Sequence, residues 1–98
     1  MIHMQVIAKD NSNLHSLVRA AIHEGKIKSF EIVRVRGGLK IQHRKFLGSV
    51  SLAKKPGLLL ATLRCHAKRR EWQLLDAFIG RMTYHFREKI AAINIQFD

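Results

Sequence analysis

Two alternating runs joined by a pair of glycines constrain this chain more than any other feature. In VRVRGGLKIQHRK, residues 33–45, apolar and mostly cationic side chains alternate up to Gly37 and Gly38 and then alternate again. Successive side chains of a strand point to opposite faces, so this pattern predicts a β-hairpin with one apolar and one cationic face. At least part of the core is therefore expected to pack against a sheet.

The register of this hairpin decides which residues reach its cationic face. A two-residue glycine loop would mix apolar and charged residues on both faces, which disfavours it. A three-residue loop over 36–38, with one glycine in the left-handed region, keeps the apolar residues together. The pairs predicted by this register are Val35 with Leu39, Val33 with Ile41 and Arg34 with Lys40.

Further strands are predicted on both sides of this hairpin. Residues 2–8 and 93–97 alternate with a period of two and predict a first and a last strand. A Pro-Gly turn at 56–57 joins two more strands. The predicted pairs of this second hairpin are Leu52 with Ala61 and Val50 with Leu63. The expected core residues have odd numbers before Gly48 and even numbers just after it. This change of inward parity predicts a β-bulge near Gly48.

Two amphipathic helices are predicted from apolar residues at three- and four-residue spacing. The first covers about 13–24, follows the capping side chains of DNSN and ends at Gly25. The second covers about 69–89. Its predicted apolar stripe comprises Trp72, Leu75, Ile79, Met82 and Phe86, widened by Leu74 and Phe78.

The predicted order is strand, helix, three-strand meander, helix, strand. Each helix has a single apolar stripe, so both should cover the same face of the sheet and leave the other face open. The sequence thus predicts a single α+β domain over residues 1–98. We expect an antiparallel sheet of about five strands with two helices on one face, a ferredoxin-like or related two-layer sandwich.

The charge of the chain points to its class of partner. Eighteen Lys and Arg residues against seven Asp and Glu give a net charge of +11. No acidic residue lies between Glu31 and Glu71, so the excess is concentrated in the middle of the chain. Such an excess destabilises the compact state by self-repulsion and is typical of proteins with a polyanionic partner.

The predicted open face collects many of these cations. Proteins that bind RNA or other single strands typically contact the phosphates with cationic side chains and stack aromatic rings on the bases. We therefore expect nucleic acid as the partner, in single-stranded form rather than as a duplex. The predicted phosphate contacts on the open face are Arg34, Lys40, Arg44 and Arg64. Further contacts are predicted near the turns from Arg36, Lys54, Lys55 and Arg69. Phe30 and Phe46 are predicted stacking rings.

Two other functions stay open from the sequence. The same surface could bind an acidic protein or a second copy of the chain without catalysis. A metal-free ribonuclease is the other alternative, with His43 or His66 as acid or base and Arg44 or Arg64 stabilising the charge on phosphorus. The acidic residues and histidines show no metal-ligand spacing, and no cofactor motif is found, so we expect neither metal nor cofactor.

The remaining features concern the compartment. The apolar runs of the sequence, such as residues 58–61, are far too short to span a membrane, and the N-terminal residues predict a strand rather than a targeting segment. Cys65 is the one cysteine, which fits a reducing compartment and a small buried side chain. We therefore expect a cytoplasmic protein with no membrane association.

Overall fold

Six antiparallel strands form one sheet in the computed structural model, which describes residues 1–33 and 35–98, and of Lys68 the backbone alone. The strands are β1 (Ile2–Ala8), β2 (Phe30–Val33), β3 (Leu39–His43), β4 (Ser49–Lys55), β5 (Leu58–Arg64) and β6 (Ile90–Phe97). The helices are α1 (Leu14–His23) and α2 (Glu71–Phe86). Short 3₁₀ turns cover Lys9–Asn11, Lys68–Arg70 and Arg87–Lys89.

The strand order within the sheet is β2-β3-β4-β5-β1-β6, and every neighbouring pair is antiparallel. The part β4-β5-β1-β6, with the two helices, has the order of a ferredoxin-like sandwich. The β2–β3 hairpin extends the sheet beyond β4. The predicted two-layer α+β architecture is confirmed, with six strands in the described residues where about five were predicted.

The extra strand arises at residues 44–48, where the chain reverses direction. The sequence predicted a bulge near Gly48, but β3 and β4 are antiparallel neighbours, with Ile41 opposite Val50. His43 stabilises the reversal because its Nδ1 accepts the backbone N–H groups of Lys45 at 3.0 Å and Phe46 at 3.1 Å. The bulge prediction is therefore wrong, and a complete turn accounts for the change of inward parity.

The predicted register of the first hairpin is wrong by one residue. Val33 lies opposite Lys40, and Ile32 lies opposite Ile41. The reason is Phe30, which is only 1% exposed and packs edge-on against Phe78 of α2 at a ring distance of 6.1 Å. The predicted register would bury a valine instead of this ring. Burying the ring removes far more apolar surface from water, so the observed register is favoured.

Other local predictions are confirmed. In the second hairpin Val50 lies opposite Leu63 and Leu52 opposite Ala61. Helix α1 begins after Asn13, whose side chain accepts the N–H of Ser16 at 3.1 Å. It ends at His23, two residues before Gly25, whose φ of 79° is the left-handed conformation that glycine adopts without strain.

The core lies between the sheet and the helices as one cluster of apolar side chains. Helix α2 presents a different stripe from the predicted one, because Trp72 is 56% exposed. The buried residues of α2 are Glu71, Leu74, Leu75, Phe78, Met82 and Phe86. The carboxylate of Glu71 accepts a hydrogen bond from the N-terminal ammonium group at 3.0 Å, which compensates its buried charge. Within the described residues, no helix is both long and apolar enough to cross a membrane.

Candidate nucleic-acid interface

The face of the sheet opposite the helices, here called the open face, is ordered in rows across the strands. One row runs through β3, β4, β5, β1 and β6 and contains only polar side chains. Its members are Lys40, Ser51, Thr62, His3 and Gln96. Neighbouring side chains in such a row are about 5 Å apart, which is close enough to contact one ligand together.

A basic pocket lies beside the open face, at the end of the sheet where β5 leads towards α2. It has a volume of about 470 Å³, and Lys40, Ser49, Arg64 and His66 are among its lining residues. Glu71 also lines it, but that carboxylate already pairs with the N-terminal ammonium group. The pocket therefore offers cationic and hydroxyl donors to an anion, and a phosphate is the anion that such donors commonly bind.

A polar groove lies on the open face over β5, β1 and β6. Its volume is about 590 Å³. The open-face side chains that line it are His3, Gln5, Leu60, Thr62, Asn94 and Gln96. Asn94 donates to Gln5 through its Nδ2 at 3.4 Å, and His3 Nε2 lies 3.6 Å from Asp98. Side-chain amides present both donors and acceptors, so this groove can bond the edges of unpaired bases.

Lys40 and Arg64 are the predicted phosphate contacts that the fold brings together, since both line the basic pocket. Arg36 is exposed in the connection between β2 and β3, and Arg69 is exposed just before α2. Lys54 and Lys55 are exposed at the end of β4. They line a separate cavity of about 330 Å³ beside the start of α1, away from the basic pocket. Arg34 lies outside the described residues.

Arg44 has partners of its own at the sheet edge. Its guanidinium group lies 3.3 Å from Glu31 Oε2, and its Nε donates to the carbonyl of Lys28 at 2.8 Å. Gln42 donates to the other oxygen of Glu31 at 2.7 Å. Arg44 thus fixes the edge of the β2–β3 hairpin, and its charge is compensated by Glu31.

The two predicted stacking rings are not on the open face. Phe30 is buried in the core, so its predicted placement is wrong for the reason that shifts the β2 register. Phe46 is half-buried and stacks on His43, with ring centroids 4.4 Å apart. His43 contacts Phe30 on the helix side of the sheet, so Phe46 belongs to that side as well. The reversal at residues 44–48 carries it there.

The two histidines of the ribonuclease alternative lie in different surroundings. His66 is exposed and lines the basic pocket together with Arg64. His43 lies on the helix side, where burial lowers its pKa and the nearby Lys45 and Arg81 lower it further. Within the part of the chain that the structure describes, no group of three His, Cys, Asp or Glu side chains could hold a metal ion.

Sequence reasoning missed two features of this surface. The polar groove is lined by Gln5, Asn94 and Gln96. These side chains are uncharged and were not predicted as ligand contacts, although the alternation of β1 and β6 places them outward. Trp72 and Phe97 form an exposed stacked pair on the helix side, with ring centroids 5.0 Å apart. The helical spacing of Trp72 predicted a buried side chain, so this exposed pair was not predicted.

Comparison of the chain with protein-family models, with curated proteins and with solved structures finds no match.

Proposed function

We propose that the protein binds single-stranded nucleic acid, RNA or DNA, across the open face of its sheet. The observation that carries the proposal is the basic pocket beside the polar groove. Arg64 of the pocket and Thr62 of the groove are two residues apart on the same face of β5. A strand that lies along this face would place phosphate on Lys40 and Arg64 and base edges over the amides.

The charge of the whole molecule supports the same partner. Of the Lys and Arg side chains that the structure describes, only Lys26 and Arg44 lie within 4.0 Å of a carboxylate. The others face solvent with their charge uncompensated. A polyanion relieves this self-repulsion, and the release of its counterions favours binding.

Single strands are favoured over duplex because of what the groove offers. Its amides can bond base edges only when those edges are not already paired. His3 is the one ring among the open-face residues that line the groove, so stacking contributes less than the sequence suggested. Phosphate contacts then dominate the affinity, which makes the binding strongly dependent on salt. The proposal also places the protein in the cytoplasm, where RNA is abundant and Cys65 stays reduced.

The test is fluorescence anisotropy with labelled single-stranded RNA, single-stranded DNA and duplex, each titrated over a series of salt concentrations. The wild type is compared with Lys40→Gln/Arg64→Gln and with the control Arg19→Gln/Arg87→Gln. Both double variants lose two positive charges, but the control removes them from exposed positions on α1 and after α2. We expect single strands to bind more tightly than duplex.

Loss of two phosphate contacts should reduce the slope of log K against log salt by about 1.4 in Lys40→Gln/Arg64→Gln. The control should keep the wild-type slope. Equal losses in both variants would contradict the assignment to the open face. Weak and equal binding of all three ligands would contradict the function itself and would favour an acidic protein partner.

A metal-free ribonuclease is a second candidate, because His66 and Arg64 line the same pocket. His66 would take the proton of a 2′-hydroxyl whose oxygen attacks the adjacent phosphorus. The bond to the 5′-oxygen breaks, this oxygen takes a proton from water, and Arg64 stabilises the negative charge that develops on the phosphate oxygens. The expected result is cleavage of RNA but not of DNA in the presence of a chelator, and its loss in His66→Ala. RNA that stays intact with the wild type rejects this candidate.

A further inference from the structure

Strand β6 forms one edge of the sheet, and a β-bulge opposite Ile7 and Ala8 interrupts only its first residues. Its eight residues, IAAINIQF, include no charged residue and no proline. Natural proteins usually blunt an edge strand with charge, proline or a very short length, because its free N–H and C=O groups pair with other strands. The opposite edge follows that rule, since β2 has four residues and holds the Glu31–Arg44 ion pair.

The backbone groups that point to this free edge can be identified. The N–H of Asp98 donates to the carbonyl of Met1 at 3.3 Å, which makes that pair a hydrogen-bonded one. Hydrogen-bonded and non-hydrogen-bonded pairs alternate along an antiparallel ladder. Gln96 and Asn94 therefore bond to β1, and the N–H and C=O groups of Ile93, Ile95 and Phe97 point away from it.

Apolar side chains lie along the same edge on the helix side. Ile93 and Ile95 are half-buried, and Phe97 is 54% exposed. Phe97 stacks on Trp72, which is itself more than half exposed. The edge thus combines free backbone groups with an apolar stripe of Ile93, Ile95, Phe97 and Trp72, a combination that fits an added β-strand.

We propose that β6 pairs with β6 of a second copy of the chain, antiparallel and about a two-fold axis at Asn94. In this register Ile93 of each copy lies opposite Ile95 of the other on the helix side, in hydrogen-bonded pairs. The two Asn94 side chains meet on the open face. The same surface of both copies is used, as a two-fold interface requires.

Opposite charges at the two ends of the strand support a second copy and this register. Two chains of net charge +11 repel each other, and β6 is an uncharged strip along which their backbones can approach. The antiparallel register carries Asp98 of one copy past the bulge between Ala92 and Ile90 of the other, towards Lys89. Opposite charges therefore meet at both ends of the paired strands. The result is a continuous sheet that joins the polar grooves of the two copies.

The first test is the mass of the nuclease-treated protein by sedimentation velocity over a range of concentrations. Nuclease treatment is needed because bound nucleic acid could bridge two copies. We expect the wild type to form a dimer of twice the 11.3 kDa chain mass.

Asn94→Lys sets like charges opposite each other at the axis and should be monomeric where the wild type is a dimer. Gln5→Lys adds the same charge to the same face one strand further in and should stay dimeric. A monomeric wild type, or an Asn94→Lys variant as dimeric as the wild type, overturns the proposal.

The second test reads the register and does not depend on a destabilising change. Asn94→Cys is prepared in a Cys65→Ser background, with Gln96→Cys in the same background as the control. The proposed axis brings the two introduced thiols of Asn94→Cys within disulfide distance. Those of Gln96→Cys each face Ala92 of the other copy. Rapid cross-linking of Asn94→Cys alone supports the interface, and equal cross-linking of both variants refutes it.

Discussion

Gly48 shows how a single residue without a side chain shapes this fold. It precedes β4 at a φ of 105°. A Cβ there would lie 2.5 Å from the carbonyl oxygen of Arg64 and 3.1 Å from both Cys65 Cβ and Leu74 Cδ2. The reversal between β3 and β4 thus packs directly on the end of β5 and on α2, which leaves no room for any other residue.

Gly48→Ala should destabilise the protein more than Gly25→Ala. Both residues have positive φ, but a Cβ at Gly25 would meet nothing within 4 Å. Gly25→Ala should cost about 1 to 2 kcal/mol from its backbone conformation alone. Gly48→Ala adds a steric clash with the backbone of Arg64, so its loss should be clearly larger. Urea unfolding of both variants measures the difference. Equal losses would show that the contact at Gly48 relaxes freely.

His43 should make the stability depend on pH. Its lowered pKa in the folded state means that the unfolded chain binds more protons between that pKa and the ordinary value of about 6.5. Stability is therefore full above this window and decreases as the pH falls through it. Protonation also removes the Nδ1 lone pair that accepts the N–H groups of Lys45 and Phe46.

An NMR titration of the His43 ring should give a pKa below the ordinary histidine value. The urea midpoint should fall as the pH is lowered through the window, and His43→Asn should reduce this dependence. Part of it should remain, because burial also lowers the pKa of His15 and His85. A His43 pKa above the ordinary value would contradict the packing described for this ring.

At the scale of elements, α2 is the helix whose orientation differs from the sequence prediction. Phe78 is 1% exposed and contacts Phe30, whereas Trp72 is 56% exposed. Phe78→Ala should therefore cost about 3 to 5 kcal/mol. Trp72→Ala should cost clearly less, since more than half of this residue is already exposed and its ring stacks on the exposed Phe97. Denaturant unfolding of the two variants measures both losses in the free energy of unfolding. A larger loss for Trp72→Ala would favour the buried stripe that the sequence predicted.

Elements whose ends depend on neighbouring residues were predictable from the sequence. The limits of α1 follow from Asn13 and Gly25, and the pairs of the second hairpin follow from a two-residue turn. The register of β2 could not be predicted in this way. It depends on whether Phe30 or Val35 is buried, and that choice is made by Phe78, a residue of a helix distant in sequence.

The candidate site was predictable to a similar extent. Lys40 and Arg64 were identified because the parity of β3 and β5 was predicted correctly. Arg44 was predicted to contact phosphate. Its ion pair with Glu31 was missed because Glu31 lies across a hairpin whose predicted register was wrong. The amides of Gln5 and Asn94 form one surface only because β1 and β6 are neighbours in the sheet, and the strand order could not be predicted.

At the scale of the whole molecule, self-repulsion should limit stability at low ionic strength. The Debye length falls from about 30 Å at 0.01 M salt to about 8 Å at 0.15 M. Because the radius of gyration is 12.4 Å, repulsion across the molecule is screened over this range. The melting temperature should therefore rise with sodium chloride, and a scanning measurement at both concentrations checks this. A melting temperature that falls would mean that favourable ion pairs outweigh the repulsion.

The place of β1 in the sheet determines the order in which the chain can fold. Strand β1 precedes the other strands of this sheet along the chain, yet it lies between β5 and β6, and Ile2 pairs with Phe97. On the ribosome, both edges of β1 can therefore be covered only after β6 has been synthesised. Contacts of such long range slow folding and prolong the exposure of apolar strands. The hairpins β2–β3 and β4–β5 can form earlier, so the ladder between β1 and β6 is expected to complete the fold.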